Sequence, residues 1–461
     1  MPNLRMRRDV AGMTISTPPL SDYNNAVGIM KTRFPTSDAR SWEGQARIHL
    51  DNCPHGNWFF LPWHRAYVLA FENLIRDILQ KPDFGLPYWN WTKDPRIPGP
   101  FFQGNLVDNT RIRGPNDVLP PSYVGQPVID DIMRQTDFEL FASFKPIGQN
   151  SLERRWQRAS GAKALLERTP HDQTHVWVNG NMVTMMSPLD PIFWLHHCNI
   201  DRLWAQWNAL GRRDTTDTLW VEFPFSGNFV NSQGQSISYT VSGLRDVTRL
   251  GYTYDTLPQQ QPTFAVAAAA ALDAIAERPS LLERARTRYV ARAPRAAGLG
   301  ETADFTVETE RSAVPLAAAA AAAADQLETE AAPEESKVVA IIQDVSPPKD
   351  PRVTVNIFLS CPYASADTPT TDPHYVGNFT FFGVHGDEEG GDHGEHHHHG
   401  HEGHPSTQDF AYDITDTVAR LRALEPDLDS KLTLQLVPVP HPGVDVGQVE
   451  VKFGAVEILY V

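Results

Sequence analysis

A chain of 461 residues is longer than one ordinary core organises, since domains mostly run to about 100–200 residues, so two domains and a linker are expected. Hydrophobic residues make up 41% and charged residues 21%, as in soluble globular proteins, and no run approaches the roughly 20 apolar residues that span a bilayer, which argues against a membrane partner. A net charge of −16 repels polyanions and argues against nucleic acid as a partner, while three cysteines are too few for a disulfide framework.

In chain order, the start around Arg7-Arg8 is basic but has no apolar h-region, and a cytoplasmic location is expected. Residues 1–260 are rich in Trp, Pro and helix-periodic segments and read as a mainly α domain. Residues 261–336, dominated by alanine runs such as 267–271 and 317–324, read as a linker. From 337 to 461 the pattern changes to β-branched alternation, as in Arg352 to Leu359 and Leu432 to Val437, with Pro and Gly between runs, and a small all-β domain is expected. Within it, residues 385–404 hold eight of the 17 histidines among Gly, Asp and Glu, too polar to pack, and read as a mobile loop.

Outside that tract, seven histidines form two groups: His49, His55 and His64, then His171, His175, His196 and His197. Leu61-Pro62-Trp63-His64 opens a helix on which His64, Val68, Phe71 and Ile75 share one stripe. Taken alone, His64 is more often a hydrogen-bonded core residue than a ligand. Thr169-Pro170-His171-Asp172 resembles a capped helix start, and His171 and His175, at i and i+4, can chelate one metal. Asp190-Pro191 opens a further helix whose stripe contains Phe193, His197, Ile200 and Trp204. Each group supplies three imidazoles without a carboxylate or thiolate pattern, which suits Zn, Cu, Fe or Ni and weakens a 2-His-1-carboxylate iron site.

The stretch from His55 through Phe60-Leu-Pro-Trp-His64-Arg65 to Glu72, and the stretch Asp190-Pro-Ile-Phe193-Trp-Leu-His-His197 to Asp201, resemble the two copper signatures of tyrosinases, catechol oxidases and molluscan haemocyanins. Leu86-Pro-Tyr-Trp-Asn-Trp91 is similar to a segment of plant and fungal members, and Tyr252-Thr-Tyr254 resembles the motif that closes their catalytic core. The resemblance implies a four-helix-bundle dicopper core followed by a β-sandwich lid domain. His49, His55 and His64 would bind the first of two copper ions and His171, His175 and His197 the second, with His196 a neighbour.

The same resemblance implies a thioether between Cys53 and His55, the competing reading being a buried free thiol. It gives Glu167 the holding of a water that takes the phenol proton, and Asp172 a part in orienting that water, although Asp172 also suits a capping box with Thr169. Met185 and Met186 occupy the place of a gate over the first copper, and Phe358, Leu359 or Tyr363 are candidates to plug the site from the lid. The implied partners are small phenols and O2, copper delivery through the His-rich loop is a further expectation, and the reading admits a homo-oligomer. The implied activity is that of a tyrosinase. Its alternatives are a catechol oxidase or o-aminophenol oxidase with the same site and, in another class, a haemocyanin-like O2 carrier.

Overall fold

Local sequence chemistry sets most of the helix ends that matter. Ser41 Oγ accepts from the Gly44 N–H at 2.8 Å and starts α1 (Trp42–Asn52), a cap worth about 1 kcal/mol. The chain then turns extended at Cys53, and Pro54, which offers no N–H, follows, so His49 stands in the last helical turn while His55 lies beyond it. The long helix α2 (Phe60–Leu79) carries Pro62 in its first turn and stops at Gln80, which takes a left-handed φ of 53°. The expected stripe on α2 is an understatement: fifteen of its residues are buried, on all sides of its first four turns, because it runs through the centre of its unit.

The computed structural model describes residues 4–257, 279–285, 287–292, 294–308, 337–348, 350–383, 406–424, 431–441 and 449–461. The chain divides into two units, Met1–Gly161 with Thr169–Pro279, and Ala162–Arg168 with Ser280–Val461.

In the first unit, α1 and α2 are joined by α3 (Asp172–Val178) and α4 (Ile192–Ala209), and helices α2 and α4 pack against each other. Helix α3 does not start from Thr169 as its cap. Glu167–His171 instead makes a π-helical turn containing Pro170, and no side chain caps α3. At α4 the expected start holds: Asp190 Oδ1 accepts from the Ile192 N–H at 2.9 Å, with Pro191 between them. A short parallel pair, β1 (Arg5–Arg7) with Tyr252–Tyr254, sets Arg7 opposite Tyr254.

The second unit is built on two larger sheets, and Arg295–Gly298 pairs with Glu450–Phe453 as a two-stranded third. Of the larger two, one runs in the order Tyr375–Phe379, Val353–Leu359, Lys431–Pro440, Ala303–Glu308; the other in the order Ala162–Lys163, Gln408–Asp413, Val338–Val345, Ala455–Tyr460, Thr287–Ala291. Residues from both sheets share one apolar cluster, including Phe305, Ile342, Ile357, Phe410 and Leu436. A mainly α core unit followed by a β-rich domain is therefore the architecture.

Two domain expectations change. The stretch 261–336 is not linker throughout: Thr287–Ala291, Arg295–Gly298 and Ala303–Glu308 are strands, and in the last of them Ala303, Phe305 and Val307 alternate with polar residues and bury one face in the apolar cluster while the strand pairs with Lys431–Pro440. Residues 162–168, inside the expected helical domain, belong to the β unit. Ala162–Lys163 adds a parallel strand to Gln408–Asp413, Lys163 Nζ donates to the Phe382 carbonyl at 2.6 Å, and Arg168 donates to the Ala411 and Asn378 carbonyls, both at 3.2 Å. The alanine runs 267–271 and 317–324, and the His-rich loop 385–404, lie outside the described residues.

Leu359 sits in the apolar cluster of the β unit, and Phe358 packs with Cys361, Val437 and Tyr375, so strand alternation commits both side chains to internal packing and neither is available as a plug. Tyr363, at 57% exposure, carries no such commitment. Among the described residues no helix is long and apolar enough to cross a membrane.

Candidate metal centre

The four helices bring the two histidine groups together as two buried clusters. His49, Cys53, His55 and His64 each offer a ligand atom, these atoms lying within 4.8 Å of one another, and His171, His175, His196 and His197 do the same. The clusters adjoin: the rings of His64 and His197 stack with centroids 4.3 Å apart and planes 11° from parallel, and His55 stands 5.6 Å from His171. Phe193 packs between them, its ring 5.2 Å from His49 and 4.2 Å from His197.

Hydrogen bonds fix which nitrogen faces inward. His49 Nδ1–H donates to the Met185 carbonyl at 2.7 Å, His64 Nδ1–H to the Phe60 carbonyl at 2.8 Å, and His175 Nδ1–H to the Met182 carbonyl at 2.7 Å. His171 Nδ1–H donates to Asp172 Oδ1 at 2.8 Å. A neutral imidazole holds one proton, so each of these four rings keeps its Nε2 lone pair for a ligand. Nε2 of His175 and Nε2 of His197 stand 3.3 Å apart, turned to a common point.

Burial, followed by the mutual proximity of the rings, holds His64, His171, His175 and His197 well below the usual imidazole range, and burial alone takes His196 to about 3. A buried set of neutral imidazoles with converging lone pairs, without a carboxylate in either cluster, fits a pair of copper ions.

Of the other expected site residues, Asp172 is buried against His171 as a carboxylate that orients the ring. Glu167 is buried and begins the turn that ends at His171. Cys53 Sγ lies 3.4 Å from both nitrogens of His55, placing it on the plane that bisects the ring through Cε1, and also 3.4 Å from His64 Nε2. The side chain of Met185 is buried and that of Met186 half-buried.

Sequence reasoning missed the backbone of this methionine loop, whose Met182 and Met185 carbonyls orient one histidine of each cluster; a carbonyl carries no side-chain signature. It also missed Trp91, whose Nε1–H donates to His196 Nδ1 at 3.2 Å, although Trp91 lay in a stretch the resemblance had marked.

Behind the histidines lies a buried charge network. Arg65 Nε donates to Asp201 Oδ1 at 2.5 Å, Arg7 to Asp201 Oδ2 at 3.1 Å and to Glu72 Oε2 at 2.9 Å, and the Tyr252 and Tyr254 hydroxyls donate to Asp201 Oδ2 at 2.7 and 2.6 Å. Burial pushes the Asp201 carboxyl up, but Arg65, Arg7 and the Tyr254 hydroxyl outweigh it and hold the group below the usual carboxylate range.

A helical unit with two adjoining, imidazole-lined clusters and a β-rich domain after it fits the class of proteins that hold two copper ions side by side. The family described as the common central domain of tyrosinase matches residues 22–151 and 108–210. A chloroplastic polyphenol oxidase of Vitis vinifera is 30% identical over 296 residues, 55% of this chain and 48% of that one. A tyrosinase of Hahella sp. (strain CCB-MM4) is 31% identical over 293 residues, 51% of this chain and 60% of that one. The structure of latent apple tyrosinase superimposes with a TM-score of 0.69 at 21% identity, covering 100% of this chain and 97% of that one, a likeness of fold. Residues 22–210 of the chain thus match the common central domain of tyrosinase, and the chain as a whole, with its C-terminal β-rich domain, has the fold of the latent apple tyrosinase.

The chain spans about half the length of the curated relatives from Vitis vinifera, Malus domestica and Vicia faba. All three are named chloroplastic, which overturns the expected cytoplasmic location. The expectation rested on a missing apolar h-region, but plastid transit segments are amphipathic and have none, so that criterion does not separate the two compartments.

Proposed function

We propose that the protein is a tyrosinase-type oxidase that, with O2 as co-substrate, hydroxylates monophenols to o-diphenols and oxidises o-diphenols to o-quinones. The observation that carries this reading is the stacking of His64 on His197 at 4.3 Å, which sets the two imidazole clusters side by side. His49, His55 and His64 hold the first copper, and His171, His175 and His197 the second. Bound copper supplies the activation of O2. The chain's own residues do the rest. Nδ1–H bonds hold the ligand rings in register, and Phe193 and the buried aromatic wall keep water from the centre.

A phenol with a pKa near 10 must lose its proton to bind as phenolate at neutral pH, and Glu167, through a water, is the group we assign to take it. Cys53 forms a thioether at Cε1 of His55 and locks that ring. Met185 and Met186 gate the first copper, and the β-rich domain acts as a lid, with Tyr363 the remaining plug candidate.

A second reading, a catechol oxidase or o-aminophenol oxidase with little monophenolase activity, is favoured by one observation: Asp172 is engaged with His171, which draws it away from orienting a water. O2 uptake with L-tyrosine and with L-DOPA, before and after proteolysis between residues 309 and 336, tests both readings. Uptake with both substrates, rising after proteolysis, is expected. Uptake with L-DOPA alone would establish the second reading, and reversible O2 binding without turnover would sink both.

A further inference from the structure

The second cluster holds four imidazoles where three suffice. Trp91 separates the fourth from the rest by chemistry: an indole N–H can only donate, so His196 Nδ1, 3.2 Å from Trp91 Nε1, can only accept. A ring whose Nδ1 accepts carries its proton on Nε2. His196 therefore has no lone pair on Nε2 for a metal; it has an N–H. That nitrogen is buried and has no hydrogen-bond partner among the described residues. A nitrogen of His196 lies within 4.8 Å of the ligand atoms of His171, His175 and His197, and with Nδ1 engaged by Trp91 it is Nε2 that has a proton to offer there. The His196 ring lies nearly parallel to that of His171 at 5.4 Å and edge-on to that of His175 at 4.9 Å, which builds it into the wall of the second cluster.

A buried donor left without a partner costs about 1–3 kcal/mol, a cost retained where the donor has work with a ligand. We infer that His196 is a positioning residue whose Nε2–H donates a hydrogen bond to the anionic atom of an exogenous ligand at the second copper, the phenolate oxygen of the substrate during turnover. The inference rests on the copper reading above. His196 is no metal ligand, and Trp91 is the residue that sets its tautomer.

The test uses the full chain loaded with copper and azide as the probe, a small anion that accepts hydrogen bonds and is not turned over. Copper per chain and the azide dissociation constant, followed by its absorption band, are compared among wild type, His196→Leu, His196→Gln and Trp91→Phe. A hydrogen bond to a charged ligand is worth about 1.5–3 kcal/mol, so His196→Leu should keep two coppers per chain and weaken azide at least about tenfold. His196→Gln, which retains an N–H, should recover most of that loss. Trp91→Phe, which frees the ring to move its proton to Nδ1, should weaken azide although His196 is intact; this variant carries the test if the leucine variant does not fold. Unchanged azide affinity in a two-copper His196→Leu protein would overturn the hydrogen bond, and loss of one copper in that variant would make His196 a ligand and overturn the inference differently. A wild-type chain that takes up fewer than two coppers would instead overturn the copper reading on which it rests.

Discussion

Arg65 and Asp201 form a buried ion pair, Nε to Oδ1 at 2.5 Å, that ties the helix carrying His64 to the helix carrying His197. Arg65 follows His64 directly and Asp201 lies one helical turn after His197, so the pair sits immediately behind the stacked rings and fixes the distance between the two clusters.

Asp201→Asn should therefore be strongly destabilising. It leaves Arg65 and Arg7 buried without their common anion, and breaking a buried pair from one side costs about 3–5 kcal/mol. A denaturant titration should show a loss in this range. Because the folded carboxyl titrates below its unfolded value, its stabilising contribution is complete above the unfolded pKa, about 4, and is lost as pH falls through the lower folded value. Wild type should thus show an acid-unfolding limb below pH 4 that the Asn variant lacks.

Asp409 has the opposite sign. Burial first, and then the nearby Asp344 and Glu457 charges, raise it to about 6, against an Asp344 N–H that favours the charged form. The folded β unit therefore binds more protons than the unfolded chain between about 4 and 6, and stability present below pH 4 is lost as pH rises through 6. Thermal melting at pH 4.5 and 7.5 should show wild type losing on the order of 1–2 kcal/mol that Asp409→Asn does not lose.

Arg168→Met should weaken the β unit's hold on residues 162–168. The guanidinium donates to two carbonyls and lies 3.8 Å over the Tyr412 ring, so deletion leaves two buried acceptors and removes a cation–π contact, about 2–4 kcal/mol together. Earlier protease cleavage between residues 162 and 168 is the measurement, and an unchanged cleavage rate would refute this account.

Glu167→Gln should depress turnover of tyrosine by about ten- to a hundredfold while changing turnover of the matching catechol much less, if the role proposed for Glu167, proton removal through a held water, serves the monophenol above all. Equal losses on both substrates would show that Glu167 acts through structure alone.

Cys53 offers a test by mass. Placement of Sγ equidistant from both nitrogens of His55 suits a bond at Cε1, and the peptide pair containing Cys53 and His55 should weigh two hydrogens less than its sequence once copper and O2 have been supplied. An unmodified peptide, or a thiol that alkylates fully after unfolding, would refute the crosslink.

The sequence by itself determined the elements that carry the histidines, because these depend on local chemistry: Ser41 caps the helix of His49, Pro54 puts His55 outside it, and Asp190-Pro191 starts the helix of His197. It also determined the grouping of imidazoles into two sets and the change to β structure, since both are written in spacing and alternation. Tertiary structure decided what no local pattern encodes. Carbonyls of Met182 and Met185, far in sequence from His49, choose its tautomer and that of His175; Trp91 turns His196 from a fourth imidazole into an N–H donor; and residues 162–168 leave the helical unit to complete a sheet whose partner strand lies about 250 residues later. The physical reason is shared by the bonds of His49 to Met185, His196 to Trp91 and Lys163 to Phe382: each joins groups more than 100 residues apart, and only packing brings its two halves within 3.2 Å.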